Sequence, residues 1–205
     1  MIETGFLITA FATLFVVIDP PGLVPLFIAL TRGMSVERRR AMALRACIIA
    51  AILLTLFAIA GEAILGFVGI SMPAFRIAGG LLLFITALDM LFERRTQRRE
   101  GQQADADHDP SVFPLATPLI AGPGAIATMI LLVGQSGSSW AGTAAVVALM
   151  LAVVGSTFLF LLASPPIERA LGRTGTIVIT RLLGMLLAAL SVQFVIDGVK
   201  GTGLI

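Results

Sequence analysis

Two short tetrads carry most of the chemistry in this sequence: Asp19, Pro20, Pro21, Gly22 and Ala121, Gly122, Pro123, Gly124, each set inside a long apolar stretch. Proline lacks an amide proton and crowds the carbonyl four residues earlier. Pro20 and Pro21 should therefore release the carbonyls of Val16 and Val17, and Pro123 that of Leu119. Past each break a half-helix begins whose first amides (Gly22, Leu23 and Val24, or Gly124, Ala125 and Ile126) have no intrahelical acceptor. Freed carbonyls attract cations, and amides at the positive end of a helix dipole attract anions. Side by side, the two sets suit a small zwitterion, with its carboxylate on a half-helix N-terminus and its ammonium against Asp19 or the carbonyls. Ala121, Gly122, Gly124 and Ala125 allow close backbone approach but give little depth. That favours small neutral amino acids such as glycine, alanine or serine.

Asp19 is the one acid near the middle of an apolar span, where ionisable groups are costly and often relay protons. It is equally suited to cap its own half-helix at Pro21 and Gly22. A capping carboxylate released during a cycle could do both.

The other candidates are weaker. Arg76 and Arg181 occupy matching places inside two later spans, where each guanidinium either snorkels outward or turns toward a carboxylate. Thr13, Thr117 and Thr128, with Thr86, Ser191 and Gln193, offer a polar path or simply bond their own helices. Glu62, Asp89 and Asp197 lie near span ends and read as interfacial. Cys47 is the single cysteine and His108 the single histidine, which gives no basis for a disulfide within the chain, a metal site or a cofactor. No embedded cluster of acid, base and nucleophile points to catalysis.

The elements that must position these residues are membrane helices. Of the 205 residues 58% are apolar and 13% charged, against about 25% charged in soluble domains, and mean hydropathy is +1.02. Phe113 to Ala163 carries no ionisable side chain and Thr4 to Thr31 only Asp19, each stretch exceeding the ~20 residues of one crossing. Six helices are expected: Phe6 to Leu30, Ala46 to Phe67, Pro73 to Phe92, Phe113 to Val133, Ala141 to Ala163 and Ile177 to Val199. The opening Met1, Ile2, Glu3, Thr4 lacks the basic region of a signal peptide, so the first span is expected to stay in the mature protein.

Twelve of the fourteen Lys and Arg fall in three segments: Arg32, Arg38, Arg39, Arg40 and Arg45; Arg94, Arg95, Arg98 and Arg99; and Arg169, Arg173 and Arg181. Cytoplasmic loops collect basic residues, which predicts these segments inside and both termini on the periplasmic or extracellular side. The same distribution, in short loops rather than on one soluble face, argues against nucleic acid as the partner despite a pI of about 9.5. The lipid bilayer is the expected partner, and a homo-oligomer is left open.

The polar stretch 93–111 reads as a cytoplasmic linker between a first unit, 1–92, and a second, 112–205. A shift of 102 residues aligns Phe11 with Phe113, Ile18 with Ile120, Pro21 and Gly22 with Pro123 and Gly124, Ile28 with Ile130 and Leu30 with Leu132. A shift of 105 aligns Arg76 with Arg181, Gly79 with Gly184, Leu81 and Leu82 with Leu186 and Leu187, and Thr86 with Ser191. A three-span repeat crosses in the opposite sense the second time. The expected fold is an all-α membrane protein of six transmembrane helices, arranged as two inverted three-helix repeats with discontinuous helices 1 and 4.

Ile18 to Phe27 (IDPPGLVPLF), Arg76 to Phe92 (RIAGGLLLFITALDMLF), Pro114 to Thr128 (PLATPLIAGPGAIAT) and Arg181 to Gly198 (RLLGMLLAALSVQFVIDG) together carry a resemblance. Through them the chain resembles the MarC family of six-span inner-membrane proteins, also described as neutral amino acid transporters. The resemblance implies an inner (plasma) membrane location and transport of small neutral amino acids, with export as one direction. Many relatives have Asn-Pro-x-Gly where this chain has Asp19, Pro20, Pro21 and Gly22, which argues against an obligatory proton-carrying role for Asp19.

Secondary active transport by alternating access, with optional proton coupling, is the leading expectation. The alternatives are an intramembrane enzyme acting on a lipid or phosphate group, and a channel or assembly scaffold without transport. The substrate-binding set is Asp19, Pro20, Pro21, Gly22, Leu23, Gly122, Pro123, Gly124 and Ala125. The polar path or gate is Thr13, Arg76, Thr117, Thr128 and Arg181.

Overall fold

The computed structural model describes residues 3–92, 109–137 and 139–203, without the side chain of Arg173. Most of the linker, with His108 and four of the basic residues, therefore lies outside the described residues. Those described are helical, with no strand among them: α1 (Thr4–Ile18), α2 (Pro20–Leu30), α3 (Val36–Val68), α4 (Met72–Leu91), α5 (Ser111–Ile120), α6 (Pro123–Gln135), α7 (Trp140–Leu162) and α8 (Ser164–Gly201). Five stretches are long and apolar enough to cross a membrane: Thr4–Leu30, Val36–Val68, Met72–Leu91, Trp140–Leu162 and Thr174–Gly201. The pair α5 and α6 makes a sixth if its two parts, bent by 51°, count as one crossing.

Local sequence explains the breaks in these helices. A residue before proline is pushed out of the α region, and Asp19 takes the left-handed conformation (φ 57°, ψ 64°) that Asp tolerates better than most residues. Pro20 and Pro21 then fill the first turn of α2, where a missing amide proton costs nothing. In α5 the same rule acts twice. Phe113 and Thr117 precede Pro114 and Pro118 and are extended (φ −128°, ψ 125° and φ −132°, ψ 124°), with both X-Pro bonds cis. The coil widens around them: Leu115 N–H bonds Pro110 O at 3.3 Å and Ala121 N–H bonds Ala116 O at 2.9 Å, each five residues back. A fourth span broken only at Pro123 is thus too simple an expectation, because its first half is not a regular α-helix.

Two other limits differ from the sequence reading. α3 begins ten residues before Ala46, on a Ser35 cap whose Oγ accepts from Arg38 N–H. α8 starts at Ser164 and turns at Gly172 (φ 59°, ψ −177°) before its membrane-length part. Charged residues near both starts, Glu37 to Arg40 in α3 and Glu168 and Arg169 in α8, hid them from a reading based on apolar runs.

Much of the packing repeats between the two halves, although α1 meets α6 and α8 where, among the described residues, α5 has no comparable contacts with α2 and α4. α3 packs on α7 and α4 on α8; α3 also packs on α5 and α6 as α7 packs on α1 and α2, and α2 meets α8 as α6 meets α4. In lipid, helix association rests on close van der Waals contact, which small residues permit. The antiparallel α4–α8 seam shows this directly. A Cβ added at Gly80 would meet Ser191 O at 2.8 Å and Val195 N at 3.1 Å; one at Gly184 would meet Ala87 O at 3.2 Å and Leu91 N at 3.4 Å. Gly80 and Gly184, Ala87 and Ser191, and Leu91 and Val195 each stand 104 residues apart, so the position equivalent to Gly184 is Gly80 and not Gly79. Gly198 extends it, with no room for a Cβ beside Ile77 N at 3.0 Å and Pro73 O at 3.1 Å.

Candidate functional site

The first break is a self-contained cap. Asp19 is fully buried, and its Oδ1 accepts from Gly22 N–H at 3.1 Å while its carbonyl accepts from Leu23 N–H at 3.2 Å. The carboxylate lies so close over the turn that a Cβ at Gly22 would land on it. From α8 the Thr180 hydroxyl donates to Asp19 at 3.4 and 3.5 Å, long distances for an O–H···O bond. Pro20, Pro21 and Leu23 are buried and Gly22 half-buried. Two of the three amides expected to be open at this break are therefore satisfied by Asp19 itself.

The second break carries no such cap. α6 starts from Gly122 (φ −83°, ψ 170°) without a side-chain cap, and Pro123 occupies its first turn. Ile126 N–H bonds Gly122 O at 3.0 Å, and the Gly124 and Ala125 amides before it have no acceptor within their own helix. Thr117 and Pro123 are exposed, Pro118, Gly122 and Gly124 half-buried, and Ala121 and Ala125 buried. Gly122 is tight for another reason: an added Cβ would run into the Pro118 carbonyl.

The two breaks touch. A Cβ built on Gly124 would sit 3.4 Å from Val17 Cγ1, 3.5 Å from Leu83 Cδ2 and 3.6 Å from Thr86 Oγ1, all ordinary contact distances. The last turn of α1, the first turn of α6 and the middle of α4 thus converge, with Asp19 two residues beyond Val17.

A family model, the MarC family integral membrane protein, matches residues 4–202. The chain belongs to the MarC family. It is 39% identical over 203 residues to an Archaeoglobus fulgidus UPF0056 membrane protein, covering 95% of this chain and 92% of that one. It is 38% identical over 203 residues to the Bacillus subtilis (strain 168) UPF0056 membrane protein YvbG, covering 96% and 95%. To the Escherichia coli (strain K12) UPF0056 inner membrane protein YhgN it is 35% identical over 194 residues, covering 95% and 96%. No solved structure matches. This is a multi-pass integral membrane protein.

Within this MarC-family chain the remaining candidates scatter. Thr13 and Thr128 are buried, but each donates to its own helix, to Thr9 O at 2.7 Å and Gly124 O at 2.8 Å. Thr86 faces Gly124 while bonding Leu82 O at 2.9 Å. Arg76 is half-buried with its Nε enclosed and not hydrogen-bonded, and it stands seven residues from Leu83, about 10 Å along α4. The Arg181 side chain is exposed. Neither arginine joins the contacts at Gly124. Thr180 is the residue that the sequence reading missed; a lone threonine beside an arginine in an apolar helix gives no signal until α8 is packed on α2.

Proposed function

We propose that the chain is a secondary transporter of small neutral amino acids in the inner membrane, and that the meeting of its two breaks forms the central site. The observation carrying this reading is the contact between Val17 and Gly124, which brings a capped and an uncapped half-helix together. The substrate carboxylate takes at α6 the place that the Asp19 carboxylate takes at α2, against the first-turn amides and the positive dipole end. Asp19 and the polar atoms of Thr86 and Thr180 provide the surroundings for the ammonium. The partly matched packing of the halves and the equivalent contacts of Gly80 and Gly184 support an inverted pair of three-helix units, the architecture in which alternating access arises from rocking about a fixed central site.

Purified protein in proteoliposomes should equilibrate labelled alanine or serine across the vesicle. A Pro123→Leu plus Gly124→Leu variant that still inserts and elutes as a single species should lose this flux. Lipid or phosphate turnover without amino acid flux would instead support an intramembrane enzyme. For proton coupling, the pH dependence of flux in Asp19→Asn is decisive: if the profile is unchanged from wild type, Asp19 carries no coupled proton.

A further inference from the structure

The start of α3 and its middle share one outward-facing side. Arg38, Arg45, Ile48 and Ile52 follow one another at steps of seven, three and four residues, which stacks them on one face of the helix, and all four are exposed. From Ala46 to Gly61 the helix carries no charged side chain, so Arg45 marks where it enters hydrocarbon. The Arg38 guanidinium makes no hydrogen bond or ion pair among the described residues. Arg45 places Nη1 on the exposed Asp109 carboxylate at 2.8 Å, which leaves its other N–H donors for a second acceptor.

Four arginines, Arg38, Arg39, Arg40 and Arg45, stand against two carboxylates, Glu37 and Asp109, at this end, and the positive end of the α3 dipole adds to their field. Past Arg45 lies an open groove of about 420 Å³ between α3 and α7, lined by Ala51, Ile52, Thr55, Leu56, Ile59 and Leu151. None of these six is ionisable. Its α3 residues stand six to fourteen positions beyond Arg45, about 9–21 Å along the helix, and the hydrocarbon of one leaflet is about 15 Å deep. The groove therefore sits at the depth of an acyl chain whose headgroup is level with Arg45.

We propose that this side of α3 binds one anionic phospholipid, with its phosphate on Arg38 and Arg45 and an acyl chain in the groove. Guanidinium forks match phosphate oxygens bidentately, and a basic cluster at the end of a membrane helix favours lipids of net negative charge. A zwitterionic lipid brings an ammonium that the arginines repel. The groove adds van der Waals contact along the tail. A second copy of the chain fits worse, because a two-fold axis along the membrane normal would bring the same arginines face to face. None of these residues belongs to either break, and the inference does not depend on transport.

The full chain in neutral detergent is titrated at fixed ionic strength with dioleoylphosphatidylglycerol, dioleoylphosphatidylcholine and glycerophosphoglycerol, and its unfolding temperature is followed. The expected result is a saturable rise with phosphatidylglycerol at a concentration at least about fivefold lower than with phosphatidylcholine, and none with glycerophosphoglycerol, which has the head but no tail. Arg38→Gln, at an exposed position, should raise the half-saturating phosphatidylglycerol concentration about fivefold, the share of one arginine at the membrane surface. Thr55→Trp, which fills the groove, should raise it too. Equal half-saturation by the two lipids in wild type would overturn the proposal whether or not the variants fold. So would an Arg38→Gln protein that matches wild type, or a rise with glycerophosphoglycerol equal to that with the lipid, since the groove would then hold nothing. A dimer that forms without lipid and is broken by Thr55→Trp would give the face to a second copy instead.

Discussion

Asp19 and Ala121 stand at equivalent places, each closing the helix before a Pro-Gly restart, and the two breaks behave in opposite ways. The first keeps its carboxylate at home: Asp19 covers the α2 N-terminus, Gly22 leaves room for it, and the turn is buried. The second has alanine where the carboxylate would be, no side-chain cap on α6, and exposed Thr117 and Pro123 around it. The lesson is that two similar Pro-Gly restarts yield one turn capped by its own side chain and one without a side-chain cap, through a single acid. The first break also continues as one span, Thr4–Leu30, whereas the second bends by 51°.

Substituting the matched glycines tests the comparison with the largest effect. Gly22→Ala must drive the Asp19 carboxylate off its amide inside a buried turn, an expected loss of roughly 2–3 kcal/mol. Gly124→Ala meets Val17, Leu83 and Thr86 only at ordinary contact distance and should stay within about 0.5 kcal/mol. Thermal unfolding of the two variants in one detergent measures both. Equal losses would mean that the breaks are not different in kind.

Next in size is the cap itself. Asp19→Ala should cost about 1–2 kcal/mol and Asp19→Asn only a few tenths, since asparagine caps as well as aspartate. Were asparagine as damaging as alanine, the charge of Asp19 and not its hydrogen bond to Gly22 would be what the fold needs.

The smallest effect is just before the start of α5. There Arg45 Nη1 and Asp109 Oδ2 pair at 2.8 Å, both well exposed. The Ser111 backbone N–H, then its hydroxyl, and behind them Arg45 hold the Asp109 carboxyl below its ordinary range. A lowered carboxylate pKa stabilises above the unfolded value, about pH 4, and the benefit disappears as pH falls through the lowered one. Asp109→Asn should therefore cost less than about 1 kcal/mol at pH 7, and its gap from wild type should close in acid. A gap that persists or grows as the carboxyl protonates would show that it is not carried by the ionised form.

The sequence by itself determined the membrane class and the place of both breaks. Hydropathy and proline act on the chain locally, whatever packs against it. It also contained both roles of Asp19 without choosing between them, because capping depends on a φ of 57° that Asp permits but composition does not reveal. Only the tertiary structure decided that the breaks meet at Val17 and Gly124, that Thr180 reaches Asp19 across 161 residues, and that Gly80 packs on Ser191 and Val195 as Gly184 packs on Ala87 and Leu91. These are contacts between helices whose lipid-buried faces look alike in sequence. In a bilayer the choice among them rests on close fit between small residues, not on apolarity.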